Sequence, residues 1–331
     1  MRILRSRTEE QLLFAHRLRA QLQLGLRLRD RRLAAGVNDV TRLWPHRLGI
    51  LPISVLDAFL SSAEALSELR RRRPDVLRIR ADLLWDLVQR TPADELRELG
   101  IRLVFCGATL TTKGFRLQAQ EAFGCPVIDF YGAHETNLLA FDCPHCDSYH
   151  TIDDSVIVEI LKDGGEVEPG ERGAVYVTAL HSFTMPFIRY SLGDIAARPV
   201  DSTNCRFGFG RLATISGREQ QIITFPCGAV VHPGQIFAGL HSSPGVGRFQ
   251  VARDGPWQVT IKAEPLPGQR LSLEEIRRRC AEMLPDKVVV KVEEGAIHYQ
   301  PGLKPCYVRT SPSFEFNDED SSAVFGETTQ R

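Results

Sequence analysis

Two short stretches constrain this chain more than anything else in it. They are Asp129-Phe130-Tyr131-Gly132-Ala133-His134-Glu135 and, further along, Arg189-Tyr190-Ser191-Leu192-Gly193-Asp194. Each is a short apolar run ending in a Gly turn, with one carboxylate just past it. That pattern belongs to a strand–loop unit that delivers a carboxylate to the mouth of a sheet, where α/β proteins bind ligands. Tyr131 offers a flat face for a base. Glu135 offers a hard oxygen ligand for Mg²⁺, and Asp194 an acceptor for ribose hydroxyls. Together they predict a nucleotide site that lacks the usual phosphate-binding glycine fingerprints. Gly208-Phe209-Gly210-Arg211-Leu212-Ala213 fits the dinucleotide pattern by letter only. It follows no apolar strand, runs into Thr214-Ile215-Ser216-Gly217 instead of a long helix, and has no acidic residue at the required distance. No Walker-type loop and no Gly-x-Ser-x-Gly elbow is present.

With 331 residues and no net charge, the chain is long enough for two domains and a sizeable core. Its first hundred residues hold nineteen Arg and no Lys. Arg and Leu alternate at helical spacing over residues 12–33, so these arginines are expected on the solvated face of an amphipathic helix. No aromatic interleaving points to nucleic acid. The N-terminus is charged and lacks the apolar core of a secretory signal, and no apolar run is long enough to span a bilayer. A cytoplasmic location is expected, with the eight cysteines free, buried or metal-bound and not disulfide-paired.

Periodicity predicts helices over residues 12–33, 55–72, 81–90 and 113–123, and buried strands over 103–106 and 127–131. The alternation favours a parallel sheet with helices on its faces. Residues 155–161 and 174–180 read as antiparallel strands separated by turn residues. After Gly217-Arg218 the composition shifts. Strand-like alternation over 250–263, a helix over 272–283 capped by Ser272, and strands over 287–292 and 296–299 describe a small α+β unit. Residues 312–331 are acidic and Ser/Thr-rich and are expected to be disordered.

Cys143-Pro144-His145-Cys146 followed by His150 has the spacing of a zinc half-site. A Cys-x-x-Cys turn brings two thiolates to one cation, and His150 reaches the same ion. His145, between the thiols, is the weaker histidine candidate. The fourth position is either open or filled from elsewhere in the chain. The bland alternative is a chance cluster of buried thiols.

The two opening motifs, taken with Arg73-Pro74-Asp75-Val76-Leu77, Cys106-Gly107-Ala108-Thr109-Leu110, Pro186-Phe187-Ile188-Arg189-Tyr190, Ile215-Ser216-Gly217-Arg218 and Arg248-Phe249-Gln250-Val251, resemble the adenylate-forming acyl ligases. The similarity is greatest to their phenylacetate–coenzyme A ligase branch, which includes capsule-biosynthesis relatives. The resemblance implies an α/β fold. A large adenylation domain (residues 1–216, a parallel sheet with helices plus a β subdomain) would be followed by a small α+β lid (217–311) and the tail (312–331). It also implies an AMP-forming ligase that activates an aryl or fatty acid as the acyl-adenylate and transfers it to a thiol such as coenzyme A, with ATP/AMP and Mg²⁺ as cofactors.

The implied nucleotide-binding residues are Gly107, Ala108, Asp129, Tyr131, Gly132, Asp194 and Arg218, and the implied catalytic residues are Glu135, His134 and Lys304. His134 would hydrogen-bond the α-phosphate. Gly107 and Ala108 would let backbone approach the adenine, and Lys304 would neutralise charge developing on the transferring oxygens. Some members of this branch carry a Cys at a set distance before the hinge, which makes Cys205 the fourth ligand of a structural zinc with Cys143, Cys146 and His150. One family element, a Ser/Thr/Gly-rich loop that wraps the ATP phosphates, is absent from these residues. The resemblance is therefore to a truncated member, expected to be a poor ligase by itself. The competing expectations are a partner chain or homodimer that completes the site, or a non-catalytic adenylate- or acyl-binding protein.

Overall fold

The computed structural model describes residues 3–35, 48–57, 60–200, 205–297 and 307–309. The chain divides into two compact units, 1–220 and 221–331.

In the first unit, local chemistry sets most element boundaries. Helix α1 (Arg7–Gln23) opens on a capping box in which Ser6 and Glu9 serve each other's backbone amides. The helix expected over 12–33 stops at Leu24. Gly25 follows with φ +103, and the chain re-emerges as strand β1 (Arg32–Ala35) beside β2 (Ile53–Val55). The helix expected from residue 55 likewise begins later. Helix α2 (Ser62–Arg72) starts at a Ser61–Glu64 capping box and ends at a left-handed Arg73 before Pro74. Strand β3 (Val76–Arg80) runs straight into α3 (Ala81–Arg90), followed by α4 (Ala93–Glu98) and β4 (Leu103–Gly107). Helix α5 (Lys113–Phe123) is capped by the Thr112 hydroxyl and ended by left-handed Gly124. It leads to β5 (Val127–Ala133), β6 (Asn137–Asp142) and β7 (Tyr149–Thr151).

The main sheet has the order β12-β7-β6-β5-β4-β3-β1-β2, where β12 is Arg211–Leu212. Pairing is parallel from β2 to β5 and antiparallel from β5 to β12. One face buries Leu77, Ile79, Leu84, Leu87 and Phe115 under α2, α3 and α5. The other buries Phe105, Ile128 and Phe141 against Ala20 of α1 and Leu26. Each such large side chain contributes about 1.5–3 kcal/mol on burial.

A second, antiparallel sheet has the order β13-β11-β10-β8-β9. It comprises β8 (Val156–Lys162), β9 (Gly165–Glu166), β10 (Arg172–Ala179), β11 (Tyr190–Ala197) and β13 (Thr214–Arg218). It shares a core with β6 and β7 through Leu139, Tyr149, Val156, Val175 and Ala196.

The expected solvated arginine face is only partly so. Arg17 of α1 is 6% exposed and donates to Asn137 Oδ1 at 3.1 Å. Arg19 pairs with Asp154 at 2.8 Å. Helical spacing cannot distinguish an arginine facing water from one facing a distant loop.

The second unit is a four-stranded sheet of order β18-β17-β16-β19 with two helices, plus a two-stranded ribbon of β14 (Ile223–Thr224) and β15 (Val230–Val231). Its elements are α6 (Pro233–His241), β16 (Val246–Gly255), β17 (Gln258–Pro265), α7 (Leu273–Ala281), β18 (Val289–Glu294) and β19 (Val308–Arg309). The alternation over 250–263 is thus two paired strands. Ser272 caps α7 by accepting from the Glu275 amide. Phe237, Phe249 and Tyr307 form its aromatic centre. Ala296 and Ile297 lie in no strand, and residues 298–299 lie outside the described residues.

Gly107 closes β4 where the sheet is tightest. A Cβ added there would sit 2.4 Å from the Phe130 carbonyl oxygen, so the backbone itself demands glycine. Gly107→Ala is expected to destabilise the protein by about 1–3 kcal/mol, read as a lower urea midpoint. An unchanged midpoint would mean that β4 and β5 do not approach so closely.

Candidate functional site

The C-terminal ends of β4 and β5 open onto the surface. Ala108, Gly132 and His134 are exposed there, and Gly107, Tyr131 and Glu135 are half-buried. Ala108 holds φ +72, a left-handed conformation uncommon for a residue with a Cβ. A bulge in the β5–β6 ladder falls between Tyr131 and Gly132, and the turn from Ala133 to Asn137 carries His134 and Glu135. A Cβ on Gly132 would meet the Asn137 carbonyl at 2.4 Å. This glycine, like Gly107, is required by the close approach of backbone to backbone.

Asp194 reaches the same place from the second sheet. The Tyr131 hydroxyl donates to Asp194 Oδ2 at 2.9 Å. Burial first, and then the Asp194 charge, push the Tyr131 pKa well up, so the hydroxyl stays a donor. Arg218 is the cross-strand partner of Asp194, with its Nε 3.7 Å from Oδ1. The Tyr190 hydroxyl, which sequence reasoning passed over, donates to Glu135 Oε1 at 3.4 Å. The fold therefore gathers Tyr131, Glu135, Tyr190, Asp194 and Arg218 from three strands and one turn.

Asp129 is elsewhere in chemical terms. It is buried, with Oδ2 accepting from the Thr111 hydroxyl at 2.7 Å and the Tyr149 hydroxyl at 2.6 Å. Arg116 adds charge compensation and pairs with Asp142 at 3.0 Å. Burial pushes the Asp129 carboxyl up, and it pushes Asp142 up to about 6, with Arg116 opposing both. Asp129 is thus occupied by protein and belongs to an internal polar network, contrary to its expected place among the nucleotide ligands. Lys304 lies outside the described residues.

The cysteine cluster assembles from two loops. The ligand atoms of Cys143, Cys146, His150 and Cys205 all lie within 4.8 Å of one another. Cys143 Sγ is 3.6 Å from Cys205 Sγ, and Cys146 Sγ is 3.4 Å from His150 Nε2. His150 Nδ1 lies 3.3 Å from the Phe209 carbonyl. That contact suits Nδ1–H as donor and leaves Nε2 free to ligate. Burial lowers the His150 pKa and keeps the ring neutral. Burial, reinforced by Cys143, pushes the Cys146 thiol up to about 12. As a free group the Cys146 thiol would stay protonated; a cation would displace its proton. His145 contributes no ligand atom to the set.

No family model matches the chain. Over 154 residues it is 28% identical to a phenylacetate–coenzyme A ligase of Thermus thermophilus, a match that takes in 45% of this chain and 34% of the relative. The chain thus aligns with about a third of the curated relative's length. Among solved structures it is similar to a 2-hydroxyisobutyryl-CoA ligase in a postadenylation complex with an acyl-AMP. There the TM-score is 0.71 at 20% identity, covering 92% of this chain and 70% of that one. The chain has the adenylate-forming ligase fold. An anthranilate–CoA ligase bound to anthranoyl-AMP matches at TM-score 0.65 and 18% identity, over 85% of this chain and 59% of the ligase. A benzoate–CoA ligase from Burkholderia xenovorans matches at 0.65 and 16%, over 86% and 61%. Within this fold the Tyr131–Asp194 contact lies at the carboxyl end of β5, a location where open α/β sheets bind ligands. Among the described residues no helix is long and apolar enough to cross a membrane.

Asp129→Ala should leave the Thr111 and Tyr149 hydroxyls without their acceptor and remove one of the two carboxylates whose charge faces Arg116. A loss of about 1–3 kcal/mol or more is expected in chemical denaturation. A stable variant with weakened nucleotide binding would return Asp129 to the ligand site.

Proposed function

We propose that this protein acts in AMP-forming activation of a carboxylic acid, with the acyl group passing from the adenylate to a thiol such as coenzyme A. The observation that carries the reading is the 2.9 Å hydrogen bond joining Tyr131 to Asp194 across two sheets, with Arg218 on the adjacent strand. In this reading Tyr131 presents its ring to the adenine. Gly107, Ala108 and Gly132 leave the strand ends low enough for close approach, and Asp194 accepts from the ribose hydroxyls. Arg218 holds Asp194 and faces the nucleotide. His134 donates to the α-phosphate. Glu135, oriented by Tyr190, holds Mg²⁺, whose chemistry is to offset phosphate charge as the acid attacks. Lys304 completes the set as the charge-neutralising lysine. The second unit is the lid. The seven described cysteines form no disulfide with one another, which suits a reducing, cytoplasmic setting.

Tyr131→Ala should weaken AMP or a non-hydrolysable acyl-adenylate analogue by about 1–3 kcal/mol through lost stacking. Asp194→Ala should weaken it through lost ribose contacts. Calorimetry on both variants checks this, and unchanged affinity in both would rule the placement out. Acid-dependent exchange of labelled pyrophosphate into ATP, run over aryl and fatty acids, tests the reaction class. Exchange that survives Asp194→Ala unaltered would count against it.

The same reading includes one structural zinc on Cys143, Cys146, His150 and Cys205. Four protein ligands close the site to water, so the ion would cross-link two loops and take no part in the chemistry. Near-stoichiometric zinc is expected in protein purified without added metal. Cys146→Ser or a strong chelator should lower the melting temperature markedly, because structural zinc contributes on the order of ten kcal/mol of binding free energy. Metal-free protein of unchanged stability would sink the assignment.

A further inference from the structure

Helix α1 does more than cover the sheet. Its apolar residues Ala20 and nearby Leu26 reach the core under Phe105 and Ile128, and that task needs no charge. Yet Glu9 and Arg17 are also turned inward, at 4% and 6% exposure. Burying charges is unfavourable unless each finds specific partners.

Their partners lie on the two segments that carry Glu135 and Tyr190. Glu9 Oε1 accepts from the Thr184 amide at 2.6 Å, and Oε2 from the Thr184 hydroxyl at 2.6 Å. Thr184 lies in the segment that leads into Tyr190. Arg17 donates to Asn137 Oδ1 at 3.1 Å, and Asn137 Nδ2 donates back to the Leu13 carbonyl of the same helix at 3.2 Å. Asn137 lies two residues past Glu135. The Arg5 guanidinium, just before α1, donates to the His134 carbonyl. The turn between these points has little slack. Asn137 is left-handed at φ +68, and its carbonyl abuts Gly132 so closely that a Cβ there would not fit. A displacement of Asn137 therefore moves Glu135.

We infer that Glu9 and Arg17 are positioning residues: α1 sets the spacing between the turn bearing Glu135 and the segment bearing Tyr190, and so aims the carboxylate that receives the cation. This rests on the reading of Glu135 as the Mg²⁺ ligand. It adds that a helix more than a hundred residues earlier in the chain governs that ligand.

The test is calorimetry on the full chain, with AMP in the absence of metal and ATP over a Mg²⁺ series. Wild type is compared with Arg17→Ala, Arg17→Lys, Glu9→Gln and Leu13→Ala. Leu13 is a buried apolar residue of α1, so Leu13→Ala loosens packing without removing a charged contact. The Mg²⁺-dependent gain in ATP affinity should fall about tenfold in Arg17→Ala and Glu9→Gln. Metal-free AMP affinity should hold, Arg17→Lys should recover part of the gain, and Leu13→Ala should keep it. Full retention of the gain in both charge variants overturns the inference. So does parallel loss of AMP and Mg²⁺-dependent binding in a folded variant, since that marks a merely structural helix. A wild type that binds AMP but shows no Mg²⁺ gain overturns the reading of Glu135 itself, and the inference falls with it. Should Arg17→Ala fail to fold by circular dichroism, Glu9→Gln, at the other end of the helix, decides.

Discussion

Strand β5 is bound in two senses at once. It pairs in parallel with β4 on one side and antiparallel with β6 on the other. A parallel neighbour is reached through a crossover helix, here α5, whereas an antiparallel neighbour can follow through a tight turn. The switch therefore places a short turn at the carboxyl end of β5, beside the free ends of the parallel strands. His134 and Glu135 ride on that turn. The same switch sends β6 and β7 into the core they share with the second sheet, which brings β11 and Asp194 to Tyr131.

Several charged groups buried around this switch meet specific partners. Below it, Asp129 is held by Thr111, Tyr149 and Arg116, and Asp142 by Arg116. Above it, Glu9 and Arg17 reach Thr184 and Asn137. Such pairs add little net stability compared with an apolar core of the same shape, but removing one partner is costly. They make β5 and its turn difficult to displace without unmaking several contacts together. The Cys143, Cys146, His150 and Cys205 side chains meet where the loop after β6, strand β7 and the loop before β12 come together.

What could be read from the sequence was local or ordered in type. The cap at Ser272 acts over three residues, and α3 and α5 were expected over the residues they occupy. The Cys-x-x-Cys spacing is likewise a short-range constraint, and the strand–turn–carboxylate motifs located the end of β5. Where local signals conflicted, the reading slipped. The Arg/Leu spacing through residues 12–33 suggested one helix, but Gly25 and the parallel pairing of β1 with β3 divide it.

The tertiary structure alone decided the rest, because the deciding contacts join residues far apart in the chain. Asp129 looked like a ligand beside Tyr131, yet only the fold brings Thr111 and Tyr149 onto its carboxylate. Gly107 looked like an opening for adenine, yet its missing side chain is demanded by the Phe130 carbonyl. Arg17 carried no mark to separate it from its exposed neighbours. Periodicity reports which face of a helix a residue occupies, and only packing determines whether that face meets water or Asn137.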